Sequence, residues 1–294
     1  MKKLLLLSSL SLLLAVTSQA QKSYTLMTCN IRITGLDADA PYPERTWEGR
    51  RELCVNTILK RKPDVFCLQE VIYDSYAYFK EHCKDYVAFG FEGPEMDSFS
   101  TGYHGIGKNV IFYRRDRFNV EGAGCYWLSE QPLIGGSMSW GTTRARHCNW
   151  LRLRDKRSGK EMRILDVHLD HKVDSARRNQ IKMVLEECSQ YADNFPQIIC
   201  GDFNAGITSA PIKYIRTQEG WREMYETVHG LKEAGYSYHA FMGTEYKPSK
   251  PKRRIDFIFY RGNIEVEDAQ YVKDHQGKVW PSDHYFIETK FNIK

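Results

Sequence analysis

The sequence lacks the features that would mark a membrane-spanning, repetitive or multi-domain protein. After the N-terminal segment, no apolar run is long enough to cross a bilayer, which takes about 20 residues as a helix. There is no internal repeat, and there is no Pro-, Ser- or Gly-rich linker or charge block that would split the chain. No CxxC pair and no Cys/His spacing is typical of a zinc site. We therefore expect residues 21–294 to form a single domain without stable membrane insertion.

The N-terminal segment resembles a secretory signal. Lys2 and Lys3 precede an apolar and serine-containing run over residues 4–16, which ends in a Ser18-x-Ala20 pattern. We expect residues 1–20 to be a signal peptide and the mature protein to be exported, either periplasmic or extracellular. Loss of the two lysines lowers the formal net charge from +5 to +3, an excess too small to indicate nucleic acid by itself.

The eight cysteines would ordinarily suggest disulfides in an exported chain. Five of them lie in apolar strand-like runs or on apolar helical faces, where a small buried side chain is expected. These five are Cys29, Cys54, Cys67, Cys188 and Cys200. The other three have less apolar surroundings and leave room for one bridge: Cys83, Cys125 and Cys148.

Strand-like runs recur along the chain and outnumber helical segments. They are residues 24–33, 64–69, 86–91, 109–114, 148–154, 163–169, 197–200, 254–260, 264–272 and 285–291. Helical spacing appears in residues 47–59 and 181–188, and the turn at 156–159 predicts an antiparallel hairpin. The irregular alternation favours a layered α/β fold with mixed sheets over a wholly parallel sheet.

Polar side chains stand at the ends of several of these runs, or inside them, where a strand pattern does not require them. They are Asn30, Glu70, His168, Asp202, Asn204, Asp256, Asp283 and His284. Each alone is more often a turn, cap or structural residue than a catalyst. Strand ends gather at one rim when sheets pack face to face, and carboxylates gathered there repel one another unless a cation lies among them. Oxygen ligands of this kind favour Mg²⁺ or Mn²⁺ over zinc.

A serine-hydrolase triad built from Ser282, Asp283 and His284 is excluded. Adjacent residues of an extended chain point to opposite faces, so the three side chains cannot converge. An acid from elsewhere in the chain is the better partner for His284, because it would fix the tautomer and favour the imidazolium.

Six short strings, in this order, resemble the endonuclease/exonuclease/phosphatase superfamily. They are TCNIR (28–32), KPDVFCLQE (62–70), VHLD (167–170), GDFN (201–204), RIDFI (254–258) and SDH (282–284). Each is weak alone, but six in order are specific and span nearly the whole mature chain. The resemblance implies a DNase I-like, four-layer α/β sandwich, in which two mixed and mostly antiparallel β-sheets pack face to face with helices on both outer faces. It also implies divalent-metal-dependent hydrolysis of a phosphoester, with Mg²⁺ (or Mn²⁺) as the cofactor.

The resemblance also assigns roles to the polar residues. It makes Glu70 the main metal ligand with Asn30 beside it, and Asp283 a further acid that binds metal or positions water.

The remaining polar residues take catalytic roles by the same resemblance. Asp202 would orient or deprotonate the attacking water, and Asn204 would steady that water and the phosphate. His168 would contact the phosphoryl oxygens. His284 would stabilise the transition state with Asp256 as its orienting partner, so that cationic histidines and the metal together neutralise the developing charge.

Further strings resemble the bacterial branch related to the carbon-catabolite-repressor deadenylases. They are YWLSEQP (126–132), SW (139–140) and RHCNW (146–150). In this interpretation Arg146 contacts a phosphate and Trp140 offers a stacking platform, although a solvated arginine and a core tryptophan are the alternatives. Many relatives carry Gly-Glu where this chain has Gly-Lys108, and Tyr103 lies close enough in sequence to contribute a substrate contact instead.

Three functions stay open at this point. We favour hydrolysis of a phosphodiester in a nucleic acid or nucleotide, and the sequence implies no protein partner. The basic cluster at 247–254 would suit a polyanion, although a solvated loop is the commoner meaning of such a run. The alternatives are hydrolysis of a lipid head group or sugar phosphate, and a catalytically inactive binding module. The last is disfavoured because Glu70, His168, Asp202 and His284 are all present.

Overall fold

The computed structural model describes residues 23–90, 106–231, 235–247 and 254–294. The strands of these segments are β1 Tyr24–Asn30, β2 Val65–Val71, β3 Tyr86–Phe89, β4 Lys108–Arg114, β5 Phe118–Trp127, β6 His147–Asp155, β7 Glu161–His168, β8 Gln197–Asp202, β9 Arg222–Glu223, β10 Asp256–Arg261, β11 Ile264–Val272 and β12 Phe286–Ile293. Their α-helices are α1 Trp47–Leu59, α2 Tyr73–His82, α3 Asp174–Cys188, α4 Ala210–Thr217 and α5 Met224–His229. No helix in the described segments is both long and apolar enough to cross a membrane.

The strands form two mixed six-stranded sheets. The first has the order β11-β12-β1-β2-β4-β3 and the second β5-β6-β7-β8-β10-β9. Strands β1 and β2 are parallel, as are β7 and β8, and the other neighbouring pairs are antiparallel. The predicted hairpin at 156–159 is confirmed, since it joins the antiparallel strands β6 and β7. Each sheet therefore carries one parallel pair near its middle.

Alternating side chains of each central strand separate the layers. Leu26 faces the core between the two sheets, whereas its neighbour Met27 packs against α1 and α2 on the outer face of the first sheet. On the second sheet, Ile198 faces the same inter-sheet core and Ile199 packs against α3 and α4. The result is the four-layer α/β sandwich that the resemblance implied.

The differences from the predicted elements have local causes. The first strand ends at Asn30 and not at residue 33, because Arg32 adopts a φ of 62° that extended backbone cannot continue through. Strand β5 was missed because half of its ten residues are exposed and it contains Gly122 and Gly124, which lie under the indole of Trp150. The helices α2, α4 and α5 and the two-residue strand β9 were also missed.

All eight cysteines lie in the described segments, and all are free thiols. Seven are buried and Cys125 is exposed. The predicted burial of the five apolar-segment cysteines is confirmed, and the structure contains no bridge among Cys83, Cys125 and Cys148.

Candidate active site

The ends of the two parallel strand pairs carry most of the predicted polar residues to one rim of the sandwich. Asn30 is the last residue of β1, His168 the last of β7 and Asp202 the last of β8. In the sheet register Asp202 stands opposite both His168 and Asp256, the first residue of the antiparallel β10. Parallel strands end on the same side, so this topology gathers side chains that are far apart in sequence.

Left-handed backbone turns direct several side chains into this rim. Arg32, Glu70 and Asn204 have φ values of 62°, 65° and 48°, a region that non-glycine residues seldom adopt. Such conformations persist only where the surroundings hold them, and they concentrate at functional sites. Gly201, before Asp202, has a φ of 136°, and a Cβ there would collide with the Val167 carbonyl oxygen.

A cavity of about 340 Å³ opens at the rim. Seven of the predicted site residues line it: Glu70, Arg146, His168, Asp202, Asn204, Asp283 and His284. Asn30 and Asp256 are buried and contact lining residues through hydrogen bonds. Trp140 is half-buried in a loop and is not among the lining residues. Tyr103 lies outside the described residues.

Asn30 holds two acidic side chains together. Its Nδ2 donates to Glu70 Oε1 at 3.1 Å and to Asp202 Oδ2 at 3.0 Å. Its amide oxygen, the atom that would bind a metal, accepts the Arg32 backbone N–H at 2.9 Å. Burial raises the pKa of Glu70, but the Ile33 N–H, His284, Asn30 and Arg32 lower it below its ordinary value. Glu70 is therefore a carboxylate at neutral pH.

The surroundings of Asp202 raise its pKa, whereas those of Glu70 lower the pKa of that residue. Burial and the neighbouring Asp256 raise its pKa to about 7, against the opposing effects of His284 and the Asn204 N–H. Its Oδ1 accepts that N–H at 2.7 Å. A carboxyl group that titrates near neutral pH is suited to general-base chemistry.

His284 and Asp256 form the buried pair that the sequence suggested. Nδ1 of His284 lies 2.8 Å from Asp256 Oδ2, which leaves Nε2 directed toward Asp202 at 4.0 Å. Burial lowers the pKa of His284, but Asp256, Asp283 and Asp202 outweigh it and raise the pKa to about 10. The ring is thus an imidazolium, able to donate a hydrogen bond to an oxyanion.

His168 differs from its expected protonation state. His168 Nε2 lies 2.9 Å from Asn204 Nδ2, which also donates to the Leu169 carbonyl at 3.1 Å, and 3.5 Å from Asp202 Oδ2. Burial, Arg146 and His284 lower the pKa of His168 well below its ordinary value. The expectation of two cationic histidines is therefore corrected: His284 is cationic and His168 is neutral.

Asp283 is buried beside a cation. Arg32 Nη1 lies 3.4 Å from Asp283 Oδ2, and the Arg32 side chain also pairs with Asp39. Burial raises the pKa of Asp283, although His284 and Arg32 oppose the shift. Its predicted role in metal binding or water positioning stays a prediction.

Sequence reasoning missed several residues that line the cavity. Arg32, Arg144 and His171 add cationic or titratable groups, and Tyr238 adds an aromatic ring 5.2 Å from the His284 ring. Arg144 was open to prediction, because it stands two residues before Arg146 and alternation puts such residues on one face of an extended chain. The apolar part of the lining comes from Ile33, Leu36 and Ile255.

One residue of the predicted basic cluster at 247–254 is buried and not available to a ligand. Arg254 is fully buried and pairs with Glu223 and Glu226, so its charge does not face a ligand. Residues 248–253 lie outside the described part of the chain.

The donor atoms fit a hard divalent cation. Single ligand atoms from Glu70, His168 and Asp202 all lie within 4.8 Å of one another, and so do those of Asp202, Asp256 and His284. A buried group of carboxylates is relieved by a bound cation, and oxygen-rich sites suit Mg²⁺ or Mn²⁺. The residues present thus fit a divalent metal, and Asn30 donates hydrogen bonds to both Glu70 and Asp202.

The fold and the acidic rim are those of a phosphoester-hydrolysing class of enzymes. The sequence profile of the endonuclease/exonuclease/phosphatase family matches residues 27–284. The chain therefore belongs to the endonuclease/exonuclease/phosphatase family, whose members hydrolyse phosphoester bonds.

Similar proteins include enzymes with different substrates. An endonuclease/exonuclease/phosphatase from Bacteroides vulgatus superposes with a TM-score of 0.80 at 24% identity, covering 92% of this chain and 99% of that one. A mannosyl-6-phosphatase from Bacteroides thetaiotaomicron superposes with a TM-score of 0.78 at 23% identity, covering 91% and 99%. Both similarities concern the fold alone.

Curated relatives are longer than this chain. Human nocturnin is 27% identical over 277 residues, which are 86% of this chain and 60% of that protein. Drosophila melanogaster nocturnin is 28% identical over 170 residues, 56% of this chain and 25% of that protein. The chain thus spans a quarter to three-fifths of these two relatives.

Proposed function

We propose that the protein is a divalent-metal-dependent phosphoesterase that hydrolyses a phosphoester of a nucleotide or of a nucleic-acid end. The observation that carries the proposal is the cavity itself. It joins a buried carboxylate of near-neutral pKa, Asp202, to a histidine whose pKa is raised to about 10, His284, beside the anionic Glu70. An inactive binding module would have no need for this costly arrangement of buried charge.

Glu70 would hold the metal, assisted by Asp202 and by the predicted ligands Asn30 and Asp283. When bound, the ion would supply Lewis-acid stabilisation of charge on the phosphoryl oxygens. Asn30 keeps the two carboxylates of Glu70 and Asp202 at a fixed separation, because its single amide group donates to both.

The side chains around the cavity would activate the water, stabilise the developing charge and position the substrate. Asp202, anchored by the Asn204 N–H, would orient a water molecule for in-line attack and accept its proton. His284, held by Asp256, would donate from Nε2 to a non-bridging oxygen as charge develops. Neutral His168 is held in place by Asn204, so it would assist in positioning and not in charge neutralisation.

The lining of the cavity supports a small substrate with both charge and an apolar surface. Its volume of about 340 Å³ is at the lower end of small-molecule sites, which span roughly 300–1,000 Å³. Arg144 and Arg146 would contact phosphate, and Tyr238 with Ile255 would contact a base. A nucleotide, or the last nucleotide of a strand, offers both groups.

A sugar phosphate is the second candidate. The compact cavity favours it, since a sugar phosphate has no base to accommodate, and the fold closely resembles that of the mannosyl-6-phosphatase. This substrate would use the arginines and make little use of Tyr238.

Hydrolysis of a substrate panel by residues 21–294 tests the proposal and separates the candidates. Mononucleotides, short oligonucleotides, mannose 6-phosphate and phosphorylated lipid head groups would be compared with Mg²⁺, Mn²⁺ and EDTA. We expect Tyr238→Ala to raise KM for nucleotides and to leave KM for sugar phosphates unchanged. Tyr73→Ala, a matched change at the exposed Tyr73 of α2, should alter neither. Preference for mannose 6-phosphate with no effect of Tyr238→Ala would replace the nucleotide assignment.

We also propose that residues 1–20 are a cleaved signal peptide and that the enzyme acts after export. The basis is the charge and apolar pattern of that segment.

A further inference from the structure

Arg50, in α1, is a buried cation beneath the cavity. Arg50 is 1% exposed, and its guanidinium donates four hydrogen bonds to backbone carbonyls. Among the described residues, no carboxylate forms an ion pair with it. A buried charge of this kind is expensive, and an apolar side chain of similar volume often serves stability as well or better. Its presence therefore calls for a role beyond packing.

Two of the carbonyls belong to peptide units that also hold site residues. Arg50 Nη1 donates to Ile31 O at 2.6 Å, and the N–H of the same peptide unit, that of Arg32, donates to Asn30 Oδ1 at 2.9 Å. Arg50 Nη2 donates to Arg32 O at 2.9 Å, and the N–H of that unit, that of Ile33, donates to Glu70 Oε2 at 2.7 Å. Each peptide unit thus has the guanidinium on one side and a predicted metal-site residue on the other.

The third carbonyl belongs to the opposite loop of the cavity. Arg50 Nη1 also donates to Pro281 O at 3.0 Å, two residues before Asp283. One guanidinium therefore ties the loop after β1 to the loop before β12. Because hydrogen bonds in series polarise one another, the cation also strengthens the Arg32 and Ile33 N–H groups as donors.

We propose that Arg50 is a positioning residue that fixes and polarises the backbone holding Asn30 and Glu70, and thereby sets the affinity of the cavity for its divalent metal. The proposal rests on the metal dependence proposed above. Arg50 acts through two peptide units and does not touch the substrate. Supporting groups of this kind typically change metal affinity by about 10–100-fold when removed.

Calorimetric titration of Mg²⁺ and Mn²⁺ into Arg50→Ala and Arg50→Lys tests the proposal. We expect Arg50→Ala to bind metal about 10–100-fold more weakly and millimolar guanidinium chloride to restore part of the affinity. Ammonium chloride, with the same charge but without the planar donors, should not restore it. Arg50→Lys should remain weakened although it keeps the charge, because an ammonium group cannot span both loops.

Arg163→Ala is the matched control. Arg163 is also a fully buried arginine, but it pairs with Glu187 on the outer side of the second sheet. This variant should lose stability and keep wild-type metal affinity. A folded Arg50→Lys protein with wild-type affinity, together with no guanidinium effect on Arg50→Ala, would overturn the proposal.

Amide hydrogen exchange of Arg32 and Ile33 gives a readout without metal. We expect both amides to exchange faster in Arg50→Lys, while amides in the inter-sheet core stay protected. Unchanged exchange at both amides would overturn the positioning role. If the wild-type protein bound no divalent cation, the proposed function would fail, and this exchange measurement would still decide the role of Arg50.

Discussion

Replacing Asp256 by Asn should lower the pKa of His284 while leaving the position of its ring unchanged. The contact between Asp256 Oδ2 and His284 Nδ1 is 2.8 Å, and both residues are buried. Burial alone lowers the pKa of His284, and Asp256 is the foremost of the groups that raise it to about 10. The variant keeps the shape of the side chain and removes its charge.

The expected pH dependence follows from the sign of this shift. In the proposed mechanism His284 acts as the imidazolium, so deprotonation of this ring should reduce wild-type activity only as pH rises toward about 10. Without Asp256 the pKa of His284 falls, because burial is then opposed only by Asp283 and Asp202. Each unit of pKa corresponds to about 1.4 kcal/mol. At pH 8 we expect kcat to fall by about 10²–10⁴-fold.

Steady-state rates with a chromogenic phosphoester between pH 5.5 and 9 would measure this effect. Asp166→Asn is the control, because Asp166 is a buried carboxyl on β7 that accepts a hydrogen bond from Gln69 and is not paired with a histidine. Burial raises the pKa of Asp166 well above its ordinary value, so an amide is a close substitute there. A pH profile for Asp256→Asn within twofold of wild type would refute the reasoning.

Three further predictions concern the catalytic residues, the stability of the fold and the N-terminal segment. Asp202→Asn and His284→Ala should each lower kcat by about 10²-fold or more with much smaller changes in KM, and full activity in both variants would remove them from the mechanism. Arg117→Met should destabilise the fold by about 3–5 kcal/mol in urea denaturation, because it leaves two buried carboxylates unpaired, and a loss under about 1 kcal/mol would contradict this. Intact-mass measurement of the exported protein should show Gln21 as its first residue, and a membrane-bound product that retains residues 1–20 would disprove cleavage.

The elements that carry the site were predictable because the signals are local. Strand-like runs bounded by turn signals located most strands, and a polar residue at the end of such a run marked Asn30, His168 and Asp202. Their convergence followed from the expectation that strand ends meet at one rim. Assignment of distinct roles required the family resemblance, since position at a rim does not distinguish a base from a ligand.

Other features depend on contacts that no local pattern encodes. The neutral state of His168 results from burial and from Arg146, and the donors that Arg50 gives to two loops depend on how α1 packs beneath the cavity. Strand β5 shows the same limit, because Gly124 is needed for the close approach of Trp150 on β6. Tyr238 joins the cavity through a single bridge to His284, with no sequence signal of its own.

The central claim is that this acidic rim binds a divalent metal to hydrolyse phosphoesters. Its most direct test is the hydrolysis rate of EDTA-treated residues 21–294 during titration with Mg²⁺ or Mn²⁺, compared between wild type and Glu70→Gln. We expect no activity without metal and saturable recovery in the wild type. In Glu70→Gln the recovery should shift to much higher metal concentration while the fold stays intact, because Glu70 lies at the strand rim and outside the core. Metal-independent hydrolysis, or identical titration curves for both proteins, would contradict the claim.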